Sequence, residues 1–164
     1  MKRVVIVRHA KAVPYGYDDD FTRDLTERGK DDAALVSGEL RKRNIVPDNI
    51  ISSPAKRALK TARIFADNLK IDRNRIRQID EIYDGLTTSD FLDLIYSLSE
   101  NTESVFFFGH NPGFHYLVNN LSEHNVNEMP TCSTVGIDFN VNSWNEVEAR
   151  IGQIAFRITP KMLK

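Results

Sequence analysis

Four residues carry the chemistry that this chain can be asked to do: Arg8, His9, Arg57 and His110. Arg8 and His9 follow Val4-Val5-Ile6-Val7, and His110 follows Val105-Phe106-Phe107-Phe108-Gly109. Each apolar run has the pattern of a strand buried on both faces. In open α/β sheets, ligands bind beyond the carboxyl ends of the strands, so cations at two strand tips point to an anion there. Arg57 falls in the first turn of an expected helix, where a cation opposes the helix dipole. An anion shared with that helix end removes the conflict. Two guanidinium forks suit a phosphoryl group through bidentate hydrogen bonds. One imidazole can attack phosphorus in line while the other donates hydrogen bonds to its oxygens. The residues themselves permit either histidine in either role. Cationic side chains can balance the oxygens in place of magnesium, so neither a metal nor a cofactor is expected.

The elements that must position these groups alternate. After the first strand, a polar loop over residues 14–23 carries Gly16 and Asp18-Asp19-Asp20. Metal cages alternate their ligands through a turn with a glycine at the bend, which this triplet lacks. It reads as a solvated loop face, with a place at the site rim as the lesser reading. Thr26 is a plausible N-cap for a helix to about Asn44, with Ala33, Val36 and Leu40 on one face. Residues 49–52 form the next strand. Ser53 and Pro54 read as the cap and first residue of a helix that buries Ala58, Ala62, Phe65 and Leu69. A short strand over residues 75–79, a turn at Asp84-Gly85 and a helix through Phe91, Leu94, Ile95 and Leu98 follow. Asn111 and Pro112 read as the start of the helix after His110, which places that histidine at a helix N-terminus suited to anions. Alternation at Ile137, Phe139 and Val141, and at Ile154, Phe156 and Ile158, predicts half-buried strands that finish a mixed sheet. The expected architecture is α/β: a three-layer sandwich, mostly parallel, with helices on both faces.

Composition narrows the functional classes. The chain has 164 residues and a formal net charge of −1, with 41% hydrophobic and 27% charged residues. That length suits one domain over residues 1–164. The charge balance offers no footprint for nucleic acid or an acidic membrane. Cys132 is the single cysteine, so no internal disulfide forms and a reducing compartment is expected. The first apolar run is too short for a signal peptide or a spanning helix, and a cytoplasmic protein is expected. There is no Gly-x-x-x-x-Gly-Lys-Ser/Thr loop and no Gly-x-Gly-x-x-Gly turn after the first strand. A phospho-acceptor receiver domain would carry acidic residues where Arg8 and His9 stand. His115, His124, Cys132 and Trp144 read as structural or exposed, and Phe106–Phe108 as core.

Taken in order, Val7-Arg8-His9-Ala10, Ser52-Ser53-Pro54-x-x-Arg57-Ala58-x-x-Thr61-Ala62 and Gly109-His110-Asn111-Pro112 resemble the histidine phosphatase superfamily, which includes phosphoglycerate mutases and many phosphatases. Arg8-His9-Ala10-Lys11-Ala12, Arg23-Asp24-Leu25-Thr26-x-x-Gly29 and Ile158-Thr159-Pro160-Lys161-x-Leu163 are more similar to its SixA-type phosphohistidine phosphatases. The resemblance implies a phosphoglycerate mutase-like fold, with His9 as the nucleophile that becomes transiently phosphorylated. It implies that Arg8, Arg57 and His110 surround the phosphoryl group, with Arg23 as a further cation at the rim. Most members carry Gly and an acidic residue after the Arg-His pair, where this chain has Ala10 and Lys11. The family's general acid is a carboxylate, matched most nearly by Glu81, with Asp84 or a loop aspartate as alternatives. Protein phosphohistidine is the favoured substrate, because its leaving imidazole is far less basic than an alkoxide. The short segment between Arg57 and His110 leaves little room for a lid, which also suits a histidine presented on a protein. A small phosphorylated metabolite is the alternative substrate, and a non-catalytic phosphate-binding module the alternative class.

Overall fold

The strand that carries Arg8 and His9 is the axis of the sheet. In the computed structural model, which describes residues 1–14 and 19–164, β1 (Lys2–Arg8) is flanked by two strands and its middle is wholly buried. Val4 and Ile6 enter one core cluster while Val5 and Val7 enter the other. A period-two strand apolar at every position demands cover on both sides, and it receives it.

On one face lie α1 (Glu27–Lys42) and α2 (Lys56–Asn68), which bury Ala33, Val36 and Leu40, and Ala62, Phe65 and Ala66. On the other lie a short helical segment α3 (Asp80–Asp84), α4 (Thr88–Tyr96) and α5 (Gly113–Leu121), which bury Ile82, Phe91, Ile95, Phe114 and Val118. The three layers and the mixed sheet agree with the sequence.

β2 (Asn49–Ser52), β3 (Ile76–Gln78), β4 (Ser104–Gly109), β5 (Thr134–Phe139) and β6 (Gln153–Ile158) complete one sheet in the order β3-β2-β4-β1-β5-β6. β1 pairs parallel with β4, and β2 pairs parallel with β4 and β3. β5 and β6 are antiparallel additions. β4 comes late in the chain and inserts between β1 and β2. The register sets Arg8 opposite Gly109 and Ser52 opposite Phe108, so three strand tips finish level at one edge.

Some element starts and one strand's burial differ from the sequence expectation. Ser53 does not cap α2: its Oγ accepts from Ala55 N–H at 3.1 Å, and the helix begins at Lys56 with Ala55 in the cap position. Likewise α5 begins at Gly113, with Pro112 as its N-cap after a cis Asn111–Pro112 bond. In both places the polar residue expected to cap a helix is engaged elsewhere. β5 is more buried than its alternation suggested, because Val135 and Ile137 face one core while Gly136 lies under Phe156 of β6.

Candidate functional site

The level strand tips bring Arg8, His9, Arg57 and His110 around one cavity of about 290 Å³, with Lys11, Ala12, Arg23, Asn111 and Thr131 as the other lining residues. The rings of His9 and His110 lie 5.4 Å apart, tilted by 54°. Larger depressions exist elsewhere on the surface, but none of them gathers these groups.

His9 is clamped by backbone on both sides. Its N–H donates to Gly109 O at 3.0 Å, and its carbonyl accepts from Cys132 N–H at 3.0 Å. Its ring Nδ1 lies 2.7 Å from the Ala10 carbonyl. A carbonyl only accepts, so the hydrogen bond assigns the proton to Nδ1 and leaves Nε2 with a bare lone pair. The next residue is fixed as well, since Ala10 N–H donates to Thr61 Oγ1, whose hydroxyl donates to Arg57 O. One threonine thus ties the loop after β1 to the first turn of α2.

His110 is set differently. Its Nε2 lies 2.8 Å from Ser53 Oγ, and its Nδ1 is buried with no partner among the described residues. Ser53 Oγ already accepts from Ala55 N–H, so its own proton is available to His110 Nε2. With Ser53 donating, the imidazole proton stands on Nδ1, where it can serve an acceptor; with Ser53 accepting through its second lone pair, it stands on Nε2. Burial pushes the His9 pKa down to about 4, with the Arg57 and Arg8 charges adding to it against the Ala10 bond. Burial pushes His110 down to about 3, aided by His9 and Arg57. Both imidazoles are therefore neutral at neutral pH, as a nucleophile requires.

The two arginines share a design. Arg8 Nη1 donates to Met129 O at 3.1 Å, and Arg57 Nη1 donates to Asp20 O at 2.7 Å. In each, Nε is buried without a partner among the described residues. Arg8 is thus tied to the backbone through Nη1 alone, whereas Arg57 is held through Nη1 on Asp20 O and through Nη2 on Asp20 Oδ2 at 3.2 Å, so that Nε is the nitrogen the two forks leave without a partner among the described residues. Arg23 lines the rim, with Nη1 on Val13 O and Nε on Asp20 Oδ1.

Glu81 is the departure. It is exposed on α3 beside a separate depression that it shares with Arg77 and Asp90, and it does not line the His9 cavity. The reason lies in α3 itself. Ile82 turns into the core, and Tyr83 lays its ring against His110 at 5.6 Å, which leaves Glu81 pointing outward. Asp84 is exposed too. The carboxylate near the site belongs to the loop. Asp20 bonds Arg23 and Arg57, and its Oδ2 accepts from Tyr83 OH at 2.7 Å. Burial raises its pKa, but Tyr83 and the two arginines outweigh that and hold it at about 2. Gly16 and Asp18 of the same loop lie outside the described residues. Tyr83, Ser53 and Thr61 were not singled out for these roles in the sequence. The one available signal for Asp20 was its i,i+3 spacing to Arg23.

The remaining candidates are structural or exposed. His115 Nε2 bonds Val126 O, His124 is exposed, and Trp144 is buried and donates to Thr102 O. Burial pushes the Cys132 thiol up, away from reactivity. No group of acidic, histidine or cysteine residues among the described residues could hold a metal ion. No helix among them is long and apolar enough to cross a membrane.

Level strand tips that set His9 and His110 beside Arg8 and Arg57 define an α/β protein with a small cationic cavity at one edge of its sheet. The sequence profile of the histidine phosphatase superfamily (branch 1) matches residues 4–93, and the chain belongs to that superfamily. It resembles a candidate SixA phosphohistidine phosphatase from Agrobacterium tumefaciens at 26% identity and TM-score 0.80, over 97% of this chain and 98% of that one. The protein histidine phosphatase SixA complexed with tungstate has the same fold, at 24% identity and TM-score 0.84 over 99% of each chain. Among curated sequences, phosphoserine phosphatase 1 of Hydrogenobacter thermophilus is 36% identical over 100 residues, which make up 57% of this chain and 46% of that protein. The mitochondrial serine/threonine-protein phosphatase Pgam5 of Drosophila ananassae is 32% identical over 75 residues, 46% of this chain and 26% of that protein. The chain thus spans less than half of these two relatives.

Proposed function

We propose that the chain is a metal-independent phosphatase that works through a phosphohistidine on His9, and that its substrate is a phosphohistidine carried on another protein. The observation that carries this reading is the His9 ring. Its Nδ1 proton is committed to the Ala10 carbonyl, so the nitrogen that remains is a neutral nucleophile beside two arginine edges. Nε2 attacks phosphorus, the bond to the leaving group breaks, and Arg8, Arg57 and His110 Nδ1 hold the three equatorial oxygens. Water then attacks the same phosphorus, and His9 leaves as neutral imidazole.

The choice of a protein donor rests on two features. The cavity is small and takes the exposed Lys11 into its lining, and no residue between Arg57 and His110 lines it. The carboxylate beside it is held ionised, which suits a leaving group that needs no proton from the enzyme. The Agrobacterium neighbour points the same way. A second reading, a phosphomonoesterase acting on phosphoserine or a similar small ester, is favoured by the likeness to phosphoserine phosphatase 1.

Incubation with a histidine-phosphorylated protein and, separately, with phosphoserine and phosphosugars distinguishes the two. We expect rapid loss of phosphate from the protein and acid-labile label on His9. His9→Ala should lose about 10⁴-fold or more in turnover and all label. Rapid ester hydrolysis without action on the phosphoprotein selects the second reading. Failure to take label from any donor makes the chain a phosphate-binding module.

A further inference from the structure

Among the described residues, Asp20 is the one carboxylate bonded to side chains that line the cavity. Oδ1 accepts from Arg23 Nε at 3.0 Å, and Oδ2 accepts from Arg57 Nη2 at 3.2 Å and from Tyr83 OH at 2.7 Å. Tyr83 in turn packs its ring on His110. Asp20 therefore links two arginines that line the cavity to the tyrosine that packs on His110, with 30% of its side chain exposed. Among the described residues Oδ1 accepts one hydrogen bond, and a carboxylate oxygen can accept another.

The leaving group must depart on this side. His9 lines the cavity and is nearly buried, so in-line displacement sends the leaving atom away from it, toward solvent. Arg8, Lys11, Arg23 and Arg57 all line the cavity. That much positive charge suits a phosphoryl dianion but repels a cationic leaving ring. We propose that Asp20 is a specificity-determining residue, whose carboxylate accepts a hydrogen bond from the protonated leaving ring of a phosphohistidine and so selects P–N donors over esters. This rests on the phosphatase reading above and adds to it the group that recognises the leaving side.

The step balances without an enzyme acid. The donor ring enters with a proton on its remote nitrogen. His9 Nε2 forms the new P–N bond, the old P–N bond breaks, and its electron pair returns to the leaving nitrogen. Neutral imidazole departs, its remote N–H still facing Asp20. A carboxylate held ionised is the wrong group to protonate an alkoxide and the right group to face an imidazolium.

The test compares kcat/KM for a histidine-phosphorylated protein with that for p-nitrophenyl phosphate, whose leaving phenolate carries no positive charge and no N–H for Asp20 to accept from. In Asp20→Asn the preference for the phosphoprotein, taken as the ratio of the two, should fall by about tenfold or more, the scale of one charge-assisted hydrogen bond. The basic limb of its kcat–pH profile should move to lower pH, because the bound donor ring loses its anionic partner. Asp20→Glu, which restores the charge, should retain more of the preference than Asp20→Asn. A parallel fall on both substrates, with unshifted profiles, would reduce Asp20 to a tether for Arg57 and overturn the proposal. So would an unchanged ratio, or equal ratios in the two variants. A wild-type protein inactive on the phosphoprotein is a separate result, which sinks the parent reading first.

Discussion

His9 and His110 are the residues most displaced from their solution behaviour, and that has a consequence for stability. Their pKa values lie near 4 and 3 in the fold against 6.5 for a free histidine. Below about pH 6.5 the unfolded chain binds protons at these positions and the native chain does not. Unfolding is therefore favoured as pH falls, until the folded values are reached. Each imidazole contributes at most about 1.4 kcal/mol per pH unit in that window. Urea denaturation at a series of pH values from about 6.5 down to about 4 should show a loss of stability that is clearly shallower in His9→Ala/His110→Ala. An unchanged slope would mean that these rings are not buried neutral. A bound phosphate places negative charge beside both rings and raises their pKa values, so it should flatten the wild-type slope as well.

At the level of elements, the site depends on how closely α1 approaches the loop after β1. Thr26 N–H and Thr26 Oγ1 both donate to Lys11 O, and Thr26 Oγ1 accepts from Gly29 N–H. A methyl group at Gly29 would sit 2.2 Å from that Lys11 oxygen, a backbone atom with little freedom to yield. The glycine in Arg23-Asp24-Leu25-Thr26-x-x-Gly29 is thus explained by contact: it lets the first helical turn press against the segment that follows His9. We expect Gly29→Ala to destabilise the protein by about 1–3 kcal/mol and to lower kcat on every substrate, because the loop carrying Ala10 and Lys11 shifts with it. A melting curve matching wild type would show that the approach is not required. Sequence pattern captured such elements where one local rule decides. The Thr26 cap, the Ala58-Ala62-Phe65 stripe and both buried strands followed from spacing. It failed where a long-range partner competes for the same atom. Ser53 could not be seen as a partner of His110 from the residues around it, nor could α3 be seen to turn Tyr83 inward and Glu81 out.

Over the whole molecule, sequence and structure agree on the sheet and part company at its rim. The two-sided core was legible because strands apolar at every position admit no other solution, and the convergence of Arg8, His9, Arg57 and His110 follows from strand tips finishing level. The rim was not legible, because Asp20 reaches Arg57 and Tyr83 across 37 and 63 residues of chain, and no periodicity records such a contact. The same division predicts how the molecule responds to ligand. The core holds the fold without help from the cavity, whereas the cavity concentrates Arg8, Arg23, Arg57 and Lys11 at one edge of a chain whose net charge is −1. Cations held that close repel one another, so an oxyanion that binds only the folded state should stabilise it by mass action. At a hundredfold excess over its dissociation constant, tungstate or vanadate should add about 2.7 kcal/mol and raise the melting temperature accordingly. Arg8→Ala and Arg57→Ala should each remove most of that rise while leaving the unliganded protein folded, since neither residue belongs to the two apolar clusters. An oxyanion response that survives both substitutions would place the anion elsewhere, and with it the phosphoryl site.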